Sequence, residues 1–181
     1  DILVKETHPP TAVDFSLGAN FTGVNDNNLI LVKANVIELF TIVKHFDDKG
    51  AKLIHQNTFK LNGRVKAINK VTNRKTKLDM LILGFWKEEK VSVVEYDVKK
   101  FKLRTVSLHY LVDEMLQDSQ IDFPHPSPIV VDPLNICAVK IIYNNKVVIF
   151  PFDTPEPSRH VIYKLDKIEN VKDYCMLYGN S

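Results

Sequence analysis

Apolar and polar residues alternate with the two-residue period of a β-strand over most of this chain, and most densely between Leu78 and Tyr110. In Lys90 to Tyr96, Val91, Val93 and Glu95 alternate with Ser92, Val94 and Tyr96. Large or β-branched side chains therefore lie on both faces, which predicts a buried strand. The apolar run Leu78 to Phe85 precedes it, with a turn at Lys87 to Glu89 between. Asp97 to Lys102 is a polar turn carrying three lysines, and Leu103 to Tyr110 alternates again. Three strands in close succession with no helix between them describe an antiparallel meander.

The remainder repeats that grammar. After His8, Pro9 and Pro10, whose rings forbid helix, Ala12 to Phe21 reads as a first strand. A turn at Asn25 to Asn28 leads to a hairpin, Leu29 to Val32 and Val36 to Val43, folded around Lys33, Ala34 and Asn35. Beyond a turn at Asp47 to Gly50, strands are expected over Leu53 to Leu61 and Arg64 to Val71. Asn62-Gly63 between them is the strongest short hairpin signal in the chain. Leu111 to Gln117 reads as a short helical turn, and Pro124, Pro126 and Pro128 enclose a loop. Strands resume at Ile129 to Val131, Ile136 to Ile142 and Val147 to Phe152, the last two across a turn at Tyr143 to Lys146. A proline-rich loop at Pro151 to Pro157 precedes His160 to Leu165 and a last strand, Tyr174 to Tyr178.

Three hairpins of like character, NLILVKANVIELFTI, DMLILGFWKEEKVSVVEYD and ICAVKIIYNNKVVIFPF, begin near Asn28, Asp79 and Ile136, roughly fifty to fifty-seven residues apart. A β-rich unit at that period is the signature of a propeller blade, which buries its faces only against neighbouring blades. The expected fold is all-β, a WD40-like β-propeller of about three blades, in preference to a sandwich, whose hairpins usually recur at shorter spacing. Phe40, Tyr96, Phe150 and Phe152 at the ends of the second strands are then core residues and not a ligand box.

With 181 residues, 45% apolar and 25% charged, the chain has the composition of a soluble globular domain. No window approaches twenty consecutive apolar residues and no secretory signal is visible, so neither a membrane partner nor export is expected and the setting is intracellular. It opens on Asp1 rather than Met, as a fragment or processed product does. Cys137 and Cys175 have no CxxC spacing; Cys137 lies in an apolar run, the usual place of a small buried hydrophobe. A net charge of +2 argues against a dedicated nucleic-acid binder. No HExxH, GxSxG, Walker loop or GxGxxG occurs, so no enzyme, metal, cofactor or small-molecule substrate is implied. His109 and His160 read as hydrogen-bonded structural histidines. The basic candidates are Arg64, Lys66, Lys70, Arg74, Lys75 and Lys77, followed by Lys99, Lys100, Lys102 and Arg104. Strand alternation puts Arg64, Lys66 and Lys70 on one face as a weak nucleic-acid-binding stripe; the alternative is a solvated outer strand protected from edge pairing by its lysines.

HPPTAVDF, NLILVKANVIELF, SVVEYD with LRTVSLHYL, and VVDPLNICAVKIIYNNKVVIFPF together resemble the N-terminal propeller of the family of the largest subunit of cleavage and polyadenylation specificity factor. Relatives of that family include the splicing factor 3b propeller subunit and the damaged-DNA-binding adaptor of cullin ubiquitin ligases. The likeness runs nearly end to end, although the loop between Phe152 and His160 is shorter than the animal proteins lead one to expect. It implies that residues 1–181 form a partial N-terminal propeller domain of about three blades. It further implies a nuclear scaffold of mRNA 3′-end processing, holding the zinc-finger and WD-repeat subunits that read the polyadenylation signal. Its partners would be the other subunits of that complex, with pre-mRNA met mostly through them. The competing implication is a ubiquitin-ligase adaptor or a splicing factor 3b-type scaffold.

Overall fold

In a computed structural model describing residues 10–44, 50–86, 90–111, 127–142, 146–152, 159–164 and 175, the chain forms three four-stranded antiparallel sheets. The first contains β1 (Phe15–Ala19), β2 (Asn28–Lys33), β3 (Val36–Lys44) and β4 (Ala51–Lys60). The second contains β5 (Val65–Thr72), β6 (Asp79–Phe85), β7 (Lys90–Asp97) and β8 (Lys102–Tyr110). The third contains β9 (Ile129–Val131), β10 (Cys137–Ile142), β11 (Lys146–Pro151) and β12 (Val161–Lys164). Each sheet follows chain order, so each is a meander, and the three are consecutive blades of a propeller. The hairpins beginning near Asn28, Asp79 and Ile136 are the β2–β3, β6–β7 and β10–β11 pairs.

Burial explains why the second sheet reads as apolar on both faces. Leu81, Leu83, Val94 and Tyr96 pack with Phe21, Ile30, Val32, Ile37 and Leu39 in a core between the first and second blades. Met80, Ile82, Val91 and Val93 pack with Ile129, Ala138, Ile142 and Phe150 between the second and third. β6 is thus clamped on both sides, and its first six residues are buried. Gly84 lies where a Cβ would come within 3.3 Å of Ile129 and 3.4 Å of Ala67, so the third blade approaches the β6 backbone there. β5 contacts both β1 and β9, and the three form the inner edges of the blades, whereas β4 and β8 are the outer, largely exposed edges of theirs.

Two expectations change. Asn62-Gly63 does not close a hairpin: β4 pairs with β3 and β5 with β6, so the chain leaves the outer edge of one blade and enters the inner edge of the next. The Leu61 N–H donates to the Asn35 carbonyl at 2.7 Å and the Val65 N–H to the Ala34 carbonyl at 2.9 Å, which ties this crossing to the β2–β3 turn. Gly63 has φ +124°, so the dipeptide reports a backbone reversal that needs glycine, and the partner of each flanking strand is chosen by burial. The second change concerns Phe40, which lies beside a bulge at Leu39/Phe40 and is half-buried, edge-on to His55; Tyr96 and Phe150 are core as expected. The readings at His8 and Pro9, within Asp47 to Lys49, at Lys87 to Glu89, beyond Leu111 to Pro126, at Tyr143 to Asn145, within Asp153 to Ser158 and over Tyr174 to Tyr178 apart from Cys175 lie outside the described residues.

Polar side chains join the blades at the ends of the inner strands. After β1, the Asn20 N–H donates to Asp79 Oδ2 at 2.9 Å, and the Asp79 N–H returns a bond to the Asn20 carbonyl at 2.9 Å. At the end of β5, the Thr72 N–H donates to Asn135 Oδ1 at 2.8 Å in the third blade. The inner strands β1 and β5 are therefore each finished by a side chain of the following blade. Asn135 has φ +56°, a conformation that asparagine or glycine adopts readily. Asn135→Gly keeps the backbone and removes only the amide, and it is expected to lower stability by about 1 to 2 kcal/mol through the orphaned Thr72 N–H. Urea unfolding checks it: an unchanged midpoint would show that Thr72 gains nothing from the contact.

Candidate interaction surfaces

Arg64, Lys66 and Lys70 come to the same edge of the second blade, each already engaged within the fold. Arg64 lies 3.7 Å from Asp14, Lys66 Nζ stands 3.6 Å above the Trp86 ring, and Lys70 Nζ is 3.4 Å from the buried Asp79 carboxylate. A register shift between Val65 and Ala67 places Lys66 at a bulge, so the alternation that would align the three along one face is broken there. The strand is also the inner edge of its blade rather than an outer one, so its lysines do not guard an open outer edge. Cation–π contacts and exposed ion pairs such as these contribute about 1 kcal/mol or less each.

A second polar cluster lies between the second and third blades. His109, 2% exposed, faces His160 with Nδ1 to Nδ1 at 3.2 Å and meets the Ser107 hydroxyl through Nε2 at 3.0 Å. Phe150 lies edge-on to the His109 ring at 5.0 Å. One imidazole donates across the pair and the other accepts on a bare nitrogen, so both cannot be cationic. Burial, with the neighbouring His160 charge, pushes His109 down to about 4, and burial lowers His160 as well. These are the hydrogen-bonded structural histidines the sequence suggests, although His160 precedes β12 rather than lying in it. Cys137 is partly buried in β10, and burial raises its thiol above the usual range, with the charge of Asp132 adding to the shift. Among the described residues, no three His, Cys, Asp or Glu side chains are grouped to hold a metal ion, and no helix is long and apolar enough to cross a membrane.

A groove of about 580 Å³ lies between the first two blades, walled by the end of β4 on one side and β7–β8 on the other. Phe59, Leu61, Phe85, Leu103, Leu108 and Tyr110 supply its apolar surface. At one end Asn57 Nδ2 donates to the Phe101 carbonyl at 3.0 Å, linking β4 to the β7–β8 turn. At the other, Lys90 Nζ donates to the Asn62 carbonyl at 3.3 Å and lies 4.7 Å over the Phe85 ring. The sequence does not reveal this feature, because its walls belong to strands of different sheets. The one local signal was an aromatic residue, Phe101, set within a polar turn.

Comparison with known proteins agrees with the fold. Residues 12–174 match the profile of the RSE1/DDB1/CPSF1 first beta-propeller. Cleavage and polyadenylation specificity factor subunit 1 of Drosophila melanogaster is 28% identical over 164 residues, covering 83% of this chain and 11% of that protein. Protein CFT1 of Debaryomyces hansenii is 32% identical over 151 residues, covering 80% of this chain and 11% of its own length. Protein CFT1 of Yarrowia lipolytica is 28% identical over 199 residues, covering 97% and 15% respectively. The chain therefore spans about a tenth to a seventh of the length of these relatives.

Proposed function

Because the chain belongs to the RSE1/DDB1/CPSF1 first beta-propeller family, we propose that it serves as a non-enzymatic scaffold in the nuclear cleavage and polyadenylation of pre-mRNA. The observation that carries this reading is the naming of its relatives: the Drosophila protein that matches over 83% of the chain is a subunit of a cleavage and polyadenylation specificity factor. The fold supports a scaffold, since propeller blades offer rigid edges and loops on which partners dock. Its partners are the subunits that read the polyadenylation signal, and RNA is met chiefly through them. The alternatives, an adaptor of a cullin ubiquitin ligase or a splicing factor 3b-type scaffold, draw on the breadth of the family profile alone.

Affinity purification from nuclear extract followed by mass spectrometry tests the reading. Polyadenylation subunits are the expected co-purifying proteins; recovery of cullin-ligase subunits in their place would overturn it. Direct RNA contact through Arg64, Lys66 and Lys70 is expected to be weak and indifferent to sequence, because Asp14, Trp86 and Asp79 already engage the three cations. Three neutralised phosphates give a slope of log affinity against log salt of about −2 for a single strand. A fluorescence-anisotropy salt titration with a polyadenylation-signal RNA and a scrambled control measures it. Sub-micromolar binding that separates the two RNAs would instead make this propeller a reader of the signal.

A further inference from the structure

We propose that the groove between the first and second blades is a docking site for an extended acidic and apolar segment of a partner protein. The proposal rests on the scaffold reading and names one surface that such a scaffold uses.

Lys99, Lys100 and Lys102 stand on the exposed β7–β8 turn and at the start of β8, next to Leu103 at the groove wall, and none is in an ion pair with a described residue. The carboxylates nearest in sequence are occupied: Asp97 Oδ1 accepts the Lys99 and Lys100 N–H groups at 3.0 and 3.1 Å, and Glu95 is paired with Arg104. Among the described residues, no carboxylate lines the groove. The field at this surface is therefore positive, and it favours an acidic occupant.

Apolar side chains are exposed beside these lysines. Val98 is 47% exposed, Phe101 65%, Leu108 42% and Tyr110 62%, so large hydrophobic side chains stand along the turn and strand that form one wall. The groove floor is aliphatic as much as aromatic, with Leu61, Leu83 and Leu103, and this suits alternate side chains of a peptide better than stacked bases. β8 is also the last strand of its sheet, so among the described residues its outward backbone groups have no strand partner. An extended segment laid beside it gains main-chain hydrogen bonds, places apolar side chains in the groove and sets acidic ones against the lysines.

The test uses the full-length polypeptide and a short fluorescein-labelled peptide of alternating glutamate and leucine. An alternating glutamate–serine peptide and oligouridylate serve as comparisons. The glutamate–leucine peptide is expected to bind most tightly, with an affinity that falls as salt rises. Lys99→Glu with Lys100→Glu and Lys102→Glu, and separately Leu108→Asp, are each expected to weaken it about tenfold or more. Both sites are exposed, and unchanged thermal unfolding verifies that each variant folds. Oligouridylate binding as tightly as the peptide, or a Leu108→Asp protein that binds it unchanged, would overturn the proposal. Co-purification of polyadenylation subunits with the wild-type protein is scored separately: loss of peptide binding with that complex intact rejects the groove alone, whereas absence of the complex rejects the scaffold reading.

Discussion

Replacing Asp79 with alanine is expected to lower the unfolding free energy by about 3 to 4 kcal/mol, among the largest losses for a single polar substitution in this chain. The side chain is 3% exposed and has three partners: the Asn20 N–H on Oδ2, the Thr72 hydroxyl on Oδ1 at 2.6 Å, and Lys70 at 3.4 Å. Removing it leaves two donors in a site with little water, each costing about 1 to 3 kcal/mol, while the half-exposed lysine loses little. Asp79→Asn retains one oxygen for Asn20 and offers its amide to the Thr72 oxygen, so about 1 kcal/mol is expected there. Urea denaturation of the three proteins measures the series. Equal losses for the alanine and asparagine variants would show that the carboxylate charge, and not its hydrogen bonds, holds the first two blades together.

Acid is expected to weaken the join between the second and third blades. In the unfolded chain His109 titrates at its ordinary value of about 6.5, whereas in the folded chain it is pushed down to about 4. Between these values the unfolded chain binds more protons, so stability falls as the pH falls. The contribution is fully present above about pH 7, is reduced by about 2 kcal/mol near pH 5, and is lost by about 3 kcal/mol below the folded value. His160, shifted in the same direction, steepens the slope. Denaturation midpoints from about pH 7.5 to 4.5, for the wild type and His109→Phe, isolate the effect from the acid response of the carboxylates. The variant should follow a shallower curve; parallel curves would place the acid sensitivity elsewhere.

What could be read in the sequence depended on how far apart the interacting residues lie. The strands β6 and β7 were legible because their alternation on two apolar faces is local, and the repeat made their neighbours legible as blades. The connection at Asn62-Gly63 was misread because a turn dipeptide encodes a reversal, whereas the choice between pairing and crossing is made by packing. β4 is exposed along most of its length and gives only Phe59 to the core that holds Val65, whereas Val65, Ala67 and Val71 of β5 are buried against two different neighbours. Arg64, Lys66 and Lys70 were visible as cations; Asp14, Trp86 and Asp79, which engage them, are set by folding. The groove was less legible still, since Phe59 and Leu61 meet Leu103 and Leu108 across it only once two sheets lie side by side.

The polar bonds at the ends of the inner strands also impose an order in time on a chain made from its N-terminus. The Asn20 amide waits for Asp79, 59 residues later, and the Thr72 amide waits for Asn135, 63 residues later. At a synthesis rate of about 5 to 20 residues per second, each wait lasts roughly 3 to 13 seconds. During nascent growth each of the first two blades thus remains unsealed for one further blade's worth of translation, and the ribosome sets the pace at which these joins close.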